Sequence, residues 1–180
     1  MKTNYKKLFF VVMLMFGLNA CVGISPDGRG YTINVPLSVI NTTVGQNFPQ
    51  KQQTSYGTLL IEKPNILGKK GSNTLGVGTS FSFSNMLIPN GIKGAISLSS
   101  GVRYNPSNRG LYLTSPMIDE LTFQNFSLSH YLTPEMRNII GDIIAQQLMK
   151  KPIYRMNNMG ASLVKGVGVQ NGNLVVTLGL

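Results

Sequence analysis

Two side chains stand out as groups that could do chemistry. Cys21 is the one cysteine and His130 the one histidine of the 180 residues. The thiol is the neutral side chain that most readily becomes a nucleophile near neutral pH. Cys21 follows directly on an apolar run, so its natural chemistry is covalent modification at that boundary. His130 stands in SLSHYLTP, a polar position before a helix start. One histidine without a second soft ligand makes no zinc site. Asp119 and Glu120 are the one adjacent acidic pair. Neighbours in a strand point to opposite faces, so the pair reads as solvated rather than as an acid and base acting together. No Gly-x-Ser-x-Gly, P-loop or calcium-loop pattern is present. These observations predict a chain that is not an enzyme, with no catalytic residue, cofactor or metal site.

The residues before Cys21 say what the thiol is for. Lys2, Lys6 and Lys7 form a positive segment, and residues 8–18, LFFVVMLMFGL, form an apolar run. Spanning a bilayer takes about 20 apolar residues, so this run is too short to span and suits an export signal. It ends in Leu18-Asn19-Ala20-Cys21, which resembles the bacterial lipobox: an aliphatic residue, two small residues, then cysteine. Asn19 is bulkier than usual there. The resemblance implies that Cys21 receives a diacylglyceryl group, that residues 1–20 are removed, and that the new amino group is acylated, for example with palmitate. Each buried CH₂ contributes about 0.8 kcal/mol, so two or three chains anchor a protein firmly. Val22 follows instead of Asp, which implies sorting to the outer membrane, facing the periplasm. Residues 21–32, with Gly23, Pro26, Gly28 and Gly30, read as an irregular lipidated tether.

The element that organises the remainder is the helix predicted over residues 133–151. Met136, Ile139, Ile140, Ile143, Ile144 and Leu148 form one stripe at helical spacing, with Ile143 and Ile144 at its centre. Thr133 can cap it, Pro134 suits the first position, and Glu135 and Lys150 complement the dipole. Pro152 stops it. Such a helix is about 27 Å long and needs a cover of similar length.

Strands supply that cover. Between residues 56 and 126 the apolar period changes from 3.6 to 2. Leu59 and Ile61 mark a first strand. Leu75, Val77, Thr79, Phe81 and Phe83 alternate with Gly and Ser in the second. Ile92, Ala95 or Ile96, Leu98, Val102 and Tyr104 mark the third, with an irregularity expected near Gly94. Leu111, Leu113, Leu121, Phe123 and Phe126 mark the fourth, which Pro116 should break or bulge. Short turns join them, so a meander is the economical topology. Asn34 is a candidate cap for a short helix with Leu37, Ile40 and Val44 inward. The glutamine-rich stretch 46–55 reads as a loop. After the long helix come a short strand within 152–156, a helical turn with Leu163 and Val164 inward, and a hairpin turning at Asn171-Gly172.

Removal of residues 1–20 takes three lysines from the 16 Lys and Arg, which leaves 13 against 6 Asp and Glu, a balance of +7. On an anchored protein this charge favours anionic head groups as contacts. No RNP-like or zinc-finger pattern points to nucleic acid.

Taken together the chain resembles the YceB-like lipoprotein family. The likeness rests on the lipobox, Tyr31-Thr32-Ile33, the short helix, the meander, KKPIY at 150–154 and LVKGVGVQNGNLVV at 163–176. It covers nearly all of residues 33–180, read as one domain. It implies an α+β, TULIP-like fold: a curled antiparallel meander of about four long strands plus a C-terminal hairpin, wrapping one long amphipathic helix. The expected function is non-catalytic binding of a lipid or other hydrophobic ligand by a lipid-anchored periplasmic domain. Tails would lie between Ile139, Ile140, Ile143, Ile144 and Leu148 of the helix and Leu75, Val77, Phe81, Phe83, Ile96 and Leu98 of the sheet. Lys69, Lys70 and Arg109 would share one rim and meet head groups. The alternative is a structural or interaction lipoprotein whose solid core leaves its surface to dock an envelope partner. The sequence leaves the oligomeric state open.

Overall fold

Residues 22–24, 30–124, 132–156 and 159–179 are described in the computed structural model. The export segment, Cys21, Phe126 and His130 lie outside them. The elements in order are β1 (Val22–Ile24), β2 (Gly30–Val35), α1 (Leu37–Gly45), β3 (Gln50–Thr54), β4 (Gly57–Ile61), β5 (Asn65–Gly68), β6 (Leu75–Ser84), β7 (Ile92–Asn105), β8 (Gly110–Phe123), α2 (Pro134–Lys150), β9 (Tyr154–Arg155), a 3₁₀ turn (Met159–Leu163), β10 (Val164–Gln170) and β11 (Asn173–Gly179). The fold is mixed α+β. All strand pairings among the described residues are antiparallel. They make two open sheets rather than a closed barrel.

The larger sheet has the order β3-β4-β6-β7-β8-β9, with β5 also on β6. Its centre follows from alternation. In β6, Leu75, Val77, Thr79, Phe81 and Phe83 are buried, while Gly and Ser take the other face. The predicted first strand is longer than two residues suggest, and it is broken. β4 and β5 lie end to end along the same edge of β6, with the register slipping by one residue between Ile61 opposite Phe81 and Asn65 opposite Gly78. Pro64 sits in the break and has no N–H for the ladder. Thr79 repairs the joint by donating its hydroxyl to the Glu62 carbonyl at 2.8 Å.

β8 is irregular where Pro116 falls. The register shifts between Ser99 and Gly101, and Ser115 adopts φ 48°. The buried Ser100 hydroxyl donates to the Thr114 carbonyl at 2.9 Å and accepts from the Thr114 N–H at 3.2 Å, replacing the lost ladder bonds.

Four local expectations are corrected. The stretch 46–55 is not all loop: Gln50–Thr54 forms β3, because pairing with β4 satisfies its backbone whatever its side chains are. The stretch 22–32 is not irregular throughout, since β1 and β2 pair with each other and β2 pairs with β11. Asn34 is therefore in a strand; α1 starts after Pro36 without a side-chain cap. Leu163 points outward, with 41% of its surface exposed.

The C-terminal hairpin turns at Asn171 and Gly172, with φ 52° and 76°, as a two-residue type I′ turn requires. It builds the smaller sheet, β1-β2-β11-β10, rather than extending the larger one. The sheets meet where this turn docks on residues 69–72. Gly172 N–H donates to the Ser72 carbonyl at 2.8 Å, and Gly71 N–H donates to Asn171 Oδ1. A Cβ on Gly172 would collide with the Lys69 backbone.

Helix α2 is bounded as its sequence predicts. Thr133 Oγ1 accepts from the Met136 N–H at 3.3 Å, and Pro134 opens the first turn. One contiguous apolar core joins α1, α2, β4–β8 and the inner residues of the hairpin.

Candidate functional site

The space between α2 and the larger sheet is the first place to look for a ligand. All six predicted sheet residues, Leu75, Val77, Phe81, Phe83, Ile96 and Leu98, are buried in the core. On the helix, Ile140, Ile144 and Leu148 are buried, together with Gly141 and Ala145. Ile139 and Ile143 are only partly buried. Of the two residues at the centre of the stripe, Ile144 is buried and Ile143 only partly so. The two small residues explain the difference: Gly141 and Ala145 let the helix backbone approach β8, which pulls that face inward.

The approach is close. A Cβ on Gly141 would stand 2.8 Å from Ile118 Cδ1 and 3.9 Å from Ile96 Cδ1. At the other end of the helix a void of about 10 Å³ remains among Val44, Phe48, Ile66, Leu113, Leu148 and Ile153. That is about the room one water occupies. Aromatic packing fills the space near the helix start. Phe81 meets Phe123 edge to face at 5.5 Å, and the Arg137 guanidinium lies 5.7 Å from the Phe123 ring. Phe81 crosses β7 at Gly94, where a Cβ would fall 2.3 Å from its ring and 2.4 Å from the Thr122 carbonyl oxygen.

The helix touches both margins of the larger sheet. Gly141 meets β8, while Gln147 Nε2 donates to Gln52 Oε1 of β3 at 3.0 Å.

A cleft of about 590 Å³ does occur, but at the far tips of the strands. The β3–β4 turn (Gln53 to Thr58) and the β6–β7 turn (Ser84 to Leu87, with Pro89) line it. No charged residue is among them. Met86 is 98% exposed, Leu87 72% and Tyr56 49%. Asn85 holds the turn, since its Oδ1 accepts from the Leu87 and Ile88 N–H groups at 3.0 and 2.9 Å. Ile88 is buried and pins the turn to the core. Sequence reasoning passed over Met86 and Leu87. The available signal was two large apolar residues placed directly before a Pro-Asn-Gly turn.

Lys69, Lys70 and Arg109 are all exposed. They lie at the same end of the larger sheet but are not brought together. The 69–73 turn precedes Leu75, which pairs with Ser100, whereas Arg109 follows Asn105. Five residues of β7 correspond to about 17 Å. Lys93 lies at the opposite end, opposite Ser82.

Asp119 and Glu120 are exposed. Asp119 is the extra residue of a second bulge in β8, and its Oδ2 accepts from the Ser99 hydroxyl at 2.6 Å. Glu135, in the first turn of α2, has its pKa held below the usual carboxylate value by a hydrogen bond from backbone N–H and by the Thr133 hydroxyl. Among the described residues no three His, Cys, Asp or Glu side chains gather as a metal site, and no helix is long and apolar enough to cross a membrane.

A family model described as "Protein of unknown function (DUF1439)" matches residues 40–172. No curated protein matches the chain. The family match covers well over half of the sequence, and the chain belongs to that family.

Proposed function

We propose that this member of the DUF1439 family is a non-catalytic interaction module, lipid-anchored through Cys21 at the outer membrane, that docks an envelope partner at its apolar strand tips. The observation that carries this reading is the contact of Gly141 with Ile118. A tail lying between helix and sheet needs a continuous apolar channel, and ligand pockets run to about 300 Å³ or more. A methyl group added at Gly141 would stand 2.8 Å from Ile118 Cδ1, so helix and sheet already touch there. Apolar surface remains available for binding at Tyr56, Met86 and Leu87, beside an uncharged cleft. A partner suited to it presents an apolar protein segment without charges. The lipobox-like Leu18-Asn19-Ala20-Cys21 supports the anchor.

A second reading keeps the hydrophobic carrier. It is favoured by the reach of α2 to both margins of the sheet, through Gln147 with Gln52 and Gly141 with Ile118. That arrangement is similar to TULIP-like wrapping, in which the gap between a curled sheet and a long helix holds lipid tails. Mass spectrometry of organic extracts from purified residues 22–180 separates the readings. The docking module yields no stoichiometric lipid. Lipid recovered at about one per chain would replace it with the carrier.

A further inference from the structure

We infer that the 69–73 turn, with Lys69 and Lys70, is the membrane-facing end of the domain and binds anionic lipid headgroups. This rests on the reading that Cys21 is acylated. The placement comes from β1. Val22 already pairs with Ile33, so the sheet begins one residue after the anchor. Adjacent Cα atoms are about 3.8 Å apart, so the anchor stays close to β1.

β1 runs from Val22 to Ile24, opposite Ile33 to Tyr31, so Val22 is its residue nearest the start of β11, where Val35 pairs with Leu174. At that end the Asn171-Gly172 turn is hydrogen-bonded onto residues 71 and 72. Sheet spacings put Val22 about 17 Å from Gly172, within the width of the domain. Val22 is level with Val176, midway along β11, and β1 read back from Ile24 to Val22 heads toward the end where the lysine turn docks. Neither residues 65–78 nor residues 164–179, the segments that meet there, contain an Asp or Glu. Lys69 and Lys70 are both exposed on the turn. An anionic surface complements that end. The Met86 turn lies beyond the ten residues of β6, about 33 Å away, and points the uncharged cleft away from the bilayer.

The test uses the full chain, purified from membranes and reconstituted in vesicles. An acylated Cys21 is a thioether and does not react with maleimide, so Asn73→Cys and Met86→Cys can each carry one fluorophore. A headgroup-linked quencher in phosphatidylglycerol-containing vesicles should quench the probe at position 73 and spare the one at 86. The Lys69→Gln/Lys70→Gln variant should weaken that contact about fivefold per lysine, and only on the anionic vesicles. Quenching at 86 instead of 73 would overturn the inference. So would quenching at 73 that is equal on phosphatidylcholine vesicles and unchanged in the double variant. Maleimide labelling of Cys21 in the parent would overturn the anchor itself, a failure distinguishable from the others.

Discussion

Gly141 of α2 faces Ile118 of β8 across 2.8 Å, measured from the position its Cβ would take. The nearest atom is the tip of a side chain that is 40% exposed, so it can swing aside. Alanine also gains about 1 kcal/mol over glycine inside a helix. Gly141→Ala should therefore stay within about 1 kcal/mol of the parent. Gly141→Leu has no such escape and should cost about 1–3 kcal/mol by overpacking. Urea denaturation of both variants checks this. A leucine accommodated without loss would mean that the gap between helix and sheet opens.

Ile144 and Ile143 should differ although they are adjacent. Ile144 is fully buried and Ile143 only partly. Ile144→Ala should cost about 2–5 kcal/mol, and Ile143→Ala clearly less. Equal losses would place the helix in a different rotation on the sheet.

Gly94→Ala is a harsher change than Gly141→Ala. Its Cβ meets both Phe81 and the Thr122 carbonyl oxygen, and the carbonyl belongs to the neighbouring strand. Losses above about 4 kcal/mol are exceptional, and a clash with sheet backbone belongs in that range. The expected result is a chain that melts far below the parent or fails to accumulate. A companion Phe81→Leu/Gly94→Ala variant should recover little, because the carbonyl contact persists.

Glu135 makes the helix start pH-dependent. Its carboxyl pKa is lowered in the fold from 4.5, so its charged form stabilises the native state. That contribution is present above pH 4.5 and is lost as pH falls through the lower native value. Glu135→Gln should reduce the melting temperature at pH 7, with the difference closing in acid. A gap that stays constant down to pH 2 would show that the charge at this cap does not matter.

The anchor is checked independently of the fold. Cys21→Ser should abolish incorporation of radiolabelled palmitate. Label retained on that variant would rule out the lipobox reading.

What the sequence made legible follows its strongest periodicities. The alternation from Leu75 to Phe83 and the capped stripe after Thr133 are local patterns, and both elements form where predicted. β3 was not legible, because Gln50 to Thr54 carry no apolar signal and become a strand only by pairing with β4. The stripe around Ile144 and the small residues Gly141 and Ala145 were legible, but the partial exposure of Ile143 was not, since an apolar count weighs it like its neighbour. The cleft beside Met86 escaped notice because an exposed pair of apolar side chains has no period. Packing density between Gly141 and Ile118 is a property of assembled surfaces, and the same isoleucines would have written a cavity wall.

The pairing of β2 with β11 ties residues 30–35 to residues 174–179. The first half of the smaller sheet therefore waits for the last strand to be made. A chain that has passed β8 and α2 can already assemble the larger sheet from contacts closer in sequence, yet the side of β2 that takes β11 is still unpaired. Such long-range closure is slow and leaves an intermediate open to wrong partners. Completion of this domain thus depends on the docking of residues 173–179, and a truncation of β11 should be felt most at β2.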